Sequence, residues 1–277
     1  MLGDGHVPDF LYIGTSKAGS TWLFNALASH PDVFLASSKG LYYFDAHFDR
    51  GQDWYLDHFR GSDDVRSRGE VSHSYLSSPD APLRIAAVAP RARLLVSLRE
   101  PVDRAFSDYL DLVKNQQYEG PFEGALEAYP RLLDRGRYAT HLRRYLEVFP
   151  REQLLVQLFD DLRRDPQAYA DEVYDFLGVR RQVLPPSELR SRMPAGVPRS
   201  RTAATAAKST SELVKRLGLR RLRSRVKRST RLRQALYRPY TDDRPTLDPA
   251  IAARLREGFA QEIAELDGLL GVSVSRR

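Results

Sequence analysis

The sequence predicts an α/β protein in three layers, with a central parallel sheet flanked by helices on both faces. Three observations carry this expectation. Short apolar runs, Phe10 to Gly14, Arg93 to Leu98 and Gln153 to Phe159, alternate with longer stretches of helical periodicity. Strands covered on both faces read as continuous apolar runs, and strand–helix alternation is the signature of a parallel sheet. The first run also feeds a loop of small and hydroxylated residues around one lysine, followed directly by a helical pattern.

Taken in order, Phe10 to Gly14 is the first strand and Ser20 to Ser29 its helix, ended near His30-Pro31. Asp32 to Ala36 is a second short apolar run. A long aromatic loop, SSKGLYYFDAHFDRG, then leads to an amphipathic piece around Trp54 to Phe59. Glu70 to Leu76, EVSHSYL, alternates as an edge of the sheet would, and Pro82 to Ala89 is helical up to Pro90. Arg93 to Leu98 is the clearest central strand, with Pro101 set to open a helix through about Leu112. Helical patterns follow over Pro121 to Tyr129 and Tyr138 to Phe149. Gln153 to Phe159 is a third strong strand, and Pro166 to Leu177 a helix stopped by Gly178.

Beyond Val183 the prolines at 185, 186, 194 and 198 mark an irregular segment. A basic stretch follows, with Leu213, Leu217, Leu222, Val226 and Leu236 at roughly helical spacing. Asp248 to Leu270 reads as a final amphipathic helix. The expected organisation is therefore one domain over residues 1–277. Its core covers about 9–180, an irregular basic closing or cap segment 181–240, and a C-terminal helix 248–271.

Composition narrows the chemistry. The chain has 277 residues and no cysteine, so disulfides, zinc-thiolate sites and cysteine nucleophiles are excluded. No HExxH or similar metal spacing appears, and no metal is expected. No apolar run approaches a membrane span, and MLGDGHVPD lacks the regions of a secretory signal, which makes the cytoplasm the expected location. Between Arg199 and Arg233, 13 basic residues face one acid, Glu212, so this stretch carries +12 and the rest of the chain −5 of the net +7. Either an anionic partner or a solvated helix face accounts for it.

A strand, a small-residue loop and a helix N-terminus hold phosphate, because the loop and first-turn amides are unpaired and carry partial positive charge. The loop is nonetheless not an ATP loop. Gly14 and Gly19 have the Walker separation and Thr21 is in place, but Ser20 occupies the lysine position, and the lysine is Lys17 in mid-loop. No apolar strand ends in a magnesium-binding Asp, since RLLVSL ends in Arg99 and the aspartates after QLLVQLF begin only at Asp160. Downstream, Arg99 ends the central strand and Ser107 follows in the next helix, a pair suited to a second phosphate. Pairing of Arg99 with Glu100 or Asp103 is the structural alternative.

These residues resemble a known family. TSKAGSTWL is similar to the 5′-phosphosulfate loop of sulfotransferases that use 3′-phosphoadenosine 5′-phosphosulfate (PAPS), and SLREPVDRAFSDYL to their 3′-phosphate motif. With WYLDHF, GRYATHLRRYL and LFDDLRRDP, the match covers roughly Asp9 to Val179 and lies closer to the bacterial and heparan-type branch than to the cytosolic phenol and steroid enzymes. The resemblance implies a P-loop-like α/β sandwich and sulfuryl transfer to a hydroxyl of a small molecule, glycan or lipid, in bacterial secondary metabolism or glycan modification. Adenosine 3′,5′-bisphosphate is the implied product. Lys17 would meet the 5′ phosphate, with Ala18, Gly19, Ser20 and Thr21 completing the cradle, and Trp22 and Phe159 would lie by the base. Arg99 and Ser107 would hold the 3′ phosphate, and Arg199 and Arg201 of PAGVPRSR would close over it.

The acceptor side departs from the heparan-type pattern. Those enzymes place a glutamate after a lysine in the loop that corresponds to Lys39 to Phe44, and this chain reads KGLYYF, with Gly40 at the glutamate position. His73 falls where cytosolic relatives have their catalytic histidine, with Val71 at their lysine position. A histidine, ordinarily titrating near 6.5, suits proton abstraction from a hydroxyl, and a polar histidine without chemistry is the alternative. Asp45 and His47 are reserve bases, and Tyr42, Tyr43, Phe44 and Phe48 are expected to line the acceptor pocket. Two further readings stand beside this one. One is a kinase with an altered phosphate loop. The other is a module contacting nucleic acid or anionic lipid through 199–233, although the lack of interleaved aromatics argues against single-strand recognition, and no nucleic acid is expected.

Overall fold

The structure is a computed structural model that describes residues 7–36, 38–62, 64–189, 196–198, 237–239 and 245–271. They form two compact units, one of 1–109, 120–191 and 247–277, the other of 110–119 and 192–246.

The first unit is built on a five-stranded sheet of order β2-β3-β1-β4-β5, parallel throughout. Its strands are β1 (Phe10–Gly14), β2 (Val33–Leu35), β3 (Ser67–Val71), β4 (Arg93–Leu98) and β5 (Leu154–Leu158). β1 lies in the middle, and alternation along it feeds two cores. Leu11 and Ile13 join Ile85, Leu142, Tyr145 and Leu266 on one face. Phe10 and Tyr12 join Leu23, Leu27, Val173 and Leu177 on the other. The helices behind these residues are α1 (Ser20–Ala28), α4 (Ala81–Val88), α8 (Tyr138–Leu146), α10 (Pro166–Leu177) and α12 (Pro249–Leu270). Two of them start as their sequences dictate, each with an aspartate before a proline. Asp165 accepts from the Ala168 amide, and Asp248 from those of Ala250 and Ile251.

The shorter helices are α2 (Tyr43–Ala46), α3 (Gly51–Leu56), α6 (Phe122–Ala128), α7 (Arg131–Asp134), α9 (Phe159–Arg164) and α11 (Pro186–Leu189), with α5 (Pro101–Lys114) the longer one after β4. In the second unit β6 (Gly196–Pro198) pairs antiparallel with β7 (Tyr237–Pro239). The basic stretch with Leu213, Leu217, Leu222, Val226 and Leu236 lies outside the described residues.

One expected element differs. EVSHSYL is not a strand throughout: β3 ends at Val71, and Tyr75–Ser77 forms a single tight helical turn. The cause is local hydrogen bonding, because the Ser72 and Tyr75 hydroxyls both donate back to Glu70, at 2.6 and 2.9 Å, and curl the chain away from the sheet. The aromatic loop is likewise partly helical, as α2 and the turn Phe48–Arg50.

Candidate active site

Ligands of open parallel sheets bind beyond the carboxyl ends of the strands. Four such ends converge here. β1 delivers the loop from Thr15 to Gly19, β4 delivers Arg99, β5 runs straight into Phe159, and β3 delivers Ser72 and His73. The loop is anchored to its neighbour, since the Thr15 amide donates to the Ser97 carbonyl at 3.0 Å and the Tyr12 hydroxyl donates to the Thr15 carbonyl at 3.0 Å. Lys17 takes a left-handed backbone (φ 67), uncommon for a residue with a side chain. Gly19 has φ 90, and a Cβ there would lie 2.6 Å from Leu162 Cδ2 and 3.4 Å from Phe159. The glycine is needed for the turn and for the close approach of α9.

The loop is prepared for an anion. α1 begins with no side-chain cap, which leaves first-turn amides for a ligand. Ser16 Oγ is buried without a hydrogen-bond partner. Arg99 lies beside the loop, its Nη1 donating to the Lys17 carbonyl at 3.3 Å and its guanidinium 5.0 Å from the centre of the Phe159 ring. The neighbouring carboxylates have other hydrogen-bond and ion-pair partners, although the charges of Asp103 and Asp160 also bear on Arg99. Glu100 accepts from the Val102 and Asp103 amides at 3.1 and 2.7 Å, and Asp103 faces Arg256. Ser107 is half-buried on α5, which opens two residues after Arg99. Trp22 is a core residue, 5% exposed, donating to the Glu188 carbonyl at 2.8 Å and packed edge-on against Tyr169. Ala18 is fully buried. Arg199 and Arg201 lie outside the described residues.

Facing the loop, His73 and Tyr42 meet across 3.1 Å from Nδ1 to the phenol oxygen. Burial, then the charges of Lys39 and Arg135, lower His73 to about 4, and burial followed by Asp45 raises Tyr42 to about 12. A neutral imidazole is an acceptor for a proton. Arg135 is held at 3.2 Å by Asp108, which also takes the fully buried Arg104 at 3.3 Å. Asp45 accepts from Ser74, and His47 is half-buried beside Trp54. Tyr43 and Phe44 lie in the core, Tyr43 stacked on Tyr55 at 4.5 Å, so that Tyr42 is the half-buried member of the trio.

Two residues not singled out from the sequence complete the site. Lys39 Nζ donates to Ser20 Oγ at 3.1 Å and Thr21 Oγ1 at 2.5 Å. Glu70, 1% exposed, accepts from the hydroxyls of Tyr55, Ser72 and Tyr75, and burial raises it to about 7. Those donors in turn hold the acceptor segment, Ser72 Oγ accepting from the Tyr42 amide and Tyr75 Oη from the Tyr43 amide. Lys39 stands at the lysine of the KGLYYF loop, but its contacts lie 18 and 19 residues back in α1, and Glu70 opens EVSHSYL with no pattern that marks it as buried among hydroxyls.

The absence of a carboxylate at position 40 has a backbone reason. Gly40 has φ 76, and a Cβ there would lie 2.6 Å from the Tyr42 ring. The aspartates after β5 are also accounted for: Asp160 and Asp161 pair with Arg163 and Arg164 on the surface of α9 at 3.2 and 3.0 Å. Among the described residues no group of three or more His, Asp or Glu could hold a metal, and no helix is long and apolar enough to cross a membrane.

A family model of the sulfotransferase domain matches residues 7–267. The chain belongs to the sulfotransferase family. It is 32% identical over 188 residues to human heparan sulfate glucosamine 3-O-sulfotransferase 3B1, covering 65% of this chain and 48% of that one. Against human bifunctional heparan sulfate N-deacetylase/N-sulfotransferase 3 the identity is 34% over 198 residues, 62% of this chain and 22% of the relative. The match thus spans about half the length, or less, of these curated relatives. Among solved structures, a sulfotransferase from Alicyclobacillus acidocaldarius superposes with TM-score 0.72 at 25% identity, covering 98% of this chain and 99% of that one. The α/β fold and the family expected from the two motifs are therefore those found.

Proposed function

We propose that the protein transfers a sulfuryl group from PAPS to a hydroxyl of an acceptor, with His73 as the base and Lys17 as the principal cation on the departing phosphate. The observation that carries this reading is the convergence of an uncapped helix N-terminus, Lys17, Arg99 and an unpartnered buried Ser16 hydroxyl at one set of strand ends, opposite a neutral histidine. The residues fit the donor. Amides from Ala18 to Thr21 and the hydroxyls of Ser20 and Thr21 would cradle the 5′ phosphosulfate, Arg99 and Ser107 would take the 3′ phosphate, and Phe159 would flank the base, while Trp22, buried and bonded to Glu188, would support the loop from the core rather than touch the base.

When bound, PAPS supplies the sulfuryl group and is left as adenosine 3′,5′-bisphosphate. The chain's own part is to align the reactants and to neutralise charge, which is where most catalytic gain arises in such transfers. Lys17 offers a compact ammonium to the phosphate oxygen on which charge collects. His73, neutral and oriented by the Tyr42 hydroxyl, takes the acceptor's proton at a ring nitrogen. Tyr42, with Asp45 and His47 nearby, would form the acceptor wall; Tyr43 and Phe44 support it from the core. Of a small molecule, a glycan or a lipid, the glycan is the acceptor that the names of the human relatives favour.

Thermal shift with adenosine 3′,5′-bisphosphate in the presence of a chelator tests the reading. Stabilisation is expected, and Lys17→Ala or Arg99→Ala should remove most of it, each charge-assisted contact being worth about 1.5–3 kcal/mol. Stabilisation by ATP with magnesium alone would overturn the proposal.

A further inference from the structure

Lys39 sits between β2 and α2, yet its ammonium is bound by another part of the chain. It donates to Ser20 Oγ and Thr21 Oγ1, both in the first turn of the uncapped helix α1. Hydroxyls satisfy its N–H groups but supply no counter-charge. The titratable groups whose charge bears on it are Lys17, from the phosphate loop, and His73, at the end of β3. Buried charges are ordinarily paired, and placing one ammonium against another without an anion costs stability. The corner that holds both lysines also holds the unpartnered, buried Ser16 Oγ. The chain has only six lysines among 43 basic residues, and two of the six meet at this one loop. Among the described residues no carboxylate bears on Lys39, and lysine is the compact, mobile cation suited to follow an anion.

We propose that Lys39 is a third cation of the donor site, held on the Ser20 and Thr21 hydroxyls while the loop is free and turned onto the 5′ phosphosulfate when that group is bound. The exchange is self-consistent in hydrogen bonds. As the ammonium moves to the anion, the two hydroxyls that had been accepting from it become free to donate to the same anion. The inference rests on the reading of the loop as the phosphosulfate site, and adds a residue from a different element, so that donor binding also fixes the segment carrying Gly40 and Tyr42.

Proton linkage separates this role from a structural one. Burial, and then Lys17, lower the Lys39 ammonium to about 8 in the free protein. A bound dianion would raise it again, so binding at pH 8 to 9 must take up a proton, and affinity must fall as pH rises above 8. His73, at about 4, does not titrate in this window. The experiment is calorimetric titration of the full chain with adenosine 3′,5′-bisphosphate at pH 7 to 9.5, in buffers of different ionisation enthalpy. Wild type is expected to take up a proton near pH 8.5. Lys39→Gln is expected to bind about 10-fold or more weakly at pH 7 and to take up none, as loss of a charged hydrogen bond implies. Lys39→Arg, charged throughout, should bind without the alkaline loss, and keeps the test open if Lys39→Gln does not fold. Binding by Lys39→Gln equal to wild type with unchanged proton uptake, or an alkaline loss retained in Lys39→Arg, overturns the inference and leaves the donor reading intact. Failure of wild type to bind the bisphosphate overturns both.

Discussion

His73 is the residue on which the proposed acceptor chemistry turns. Burial and two neighbouring cations hold it near 4, below the ordinary value of 6.5, so it is neutral across the physiological range. The sign of its pH dependence follows: transfer should be flat above about pH 5 and lost on acidification as the ring protonates. His73→Ala should lower kcat by about 10²–10⁴, the usual worth of a general base, with little change in bisphosphate affinity. Arg135→Ala removes a charge that opposes protonation and leaves Asp108, which favours it, paired with Arg104 alone. The acid limb of kcat/KM should therefore move to higher pH in that variant, and a limb that stays in place would exclude His73 as the titrating group. Gly40 shows the other side of the same economy. Its left-handed backbone and the Tyr42 ring disfavour a side chain there, in keeping with the proposal of His73 as the base.

At the scale of elements, the site depends on strand ends that stop where they do. Gly19 joins β1 to α1 through a turn that an alanine could not enter without moving Leu162 on α9. Gly19→Ala is expected to destabilise the fold by about 1–3 kcal/mol, from positive φ and the close contact together, and to weaken bisphosphate binding; chemical denaturation and calorimetry read the two effects separately. The strands β1, β4 and β5 were legible in the sequence because burial on both faces makes them uninterrupted apolar runs. So were α10 and α12, whose aspartate and proline start signals are local. The end of β3 was not, because an alternating pattern looks the same whether the hydroxyls face solvent or fold back on Glu70. Lys17 and Arg99 could be read with their roles from their motifs, while Lys39 could be matched to the lysine of its loop but not to its contacts. Its partners are Ser20 and Thr21, and no spacing within SSKG announces them.

Across the whole molecule, two cores share one sheet, and α12 closes one of them through Leu266 and Leu270 with Arg143 paired to Glu265 at 2.8 Å. Glu70 is a carboxyl buried within this scheme, and it links stability to pH. Burial raises its carboxyl from 4.5 to about 7. In the unfolded chain it ionises first, so its contribution is fully present below about pH 4.5 and is lost as pH rises through 7. Urea unfolding at pH 5 and pH 8 should show wild type losing ground relative to Glu70→Gln at the higher pH; a constant gap would mean that the carboxyl ionises equally in both states. The lowered Lys39 carries a different consequence at this scale. An ammonium lowered to about 8 carries free amine at mildly alkaline pH, and with no cysteine in the chain no thiol competes for an acylating reagent. Acylation of that amine, followed by peptide mass, makes the phosphate loop a reporter of its own occupancy, readable without any knowledge of the acceptor.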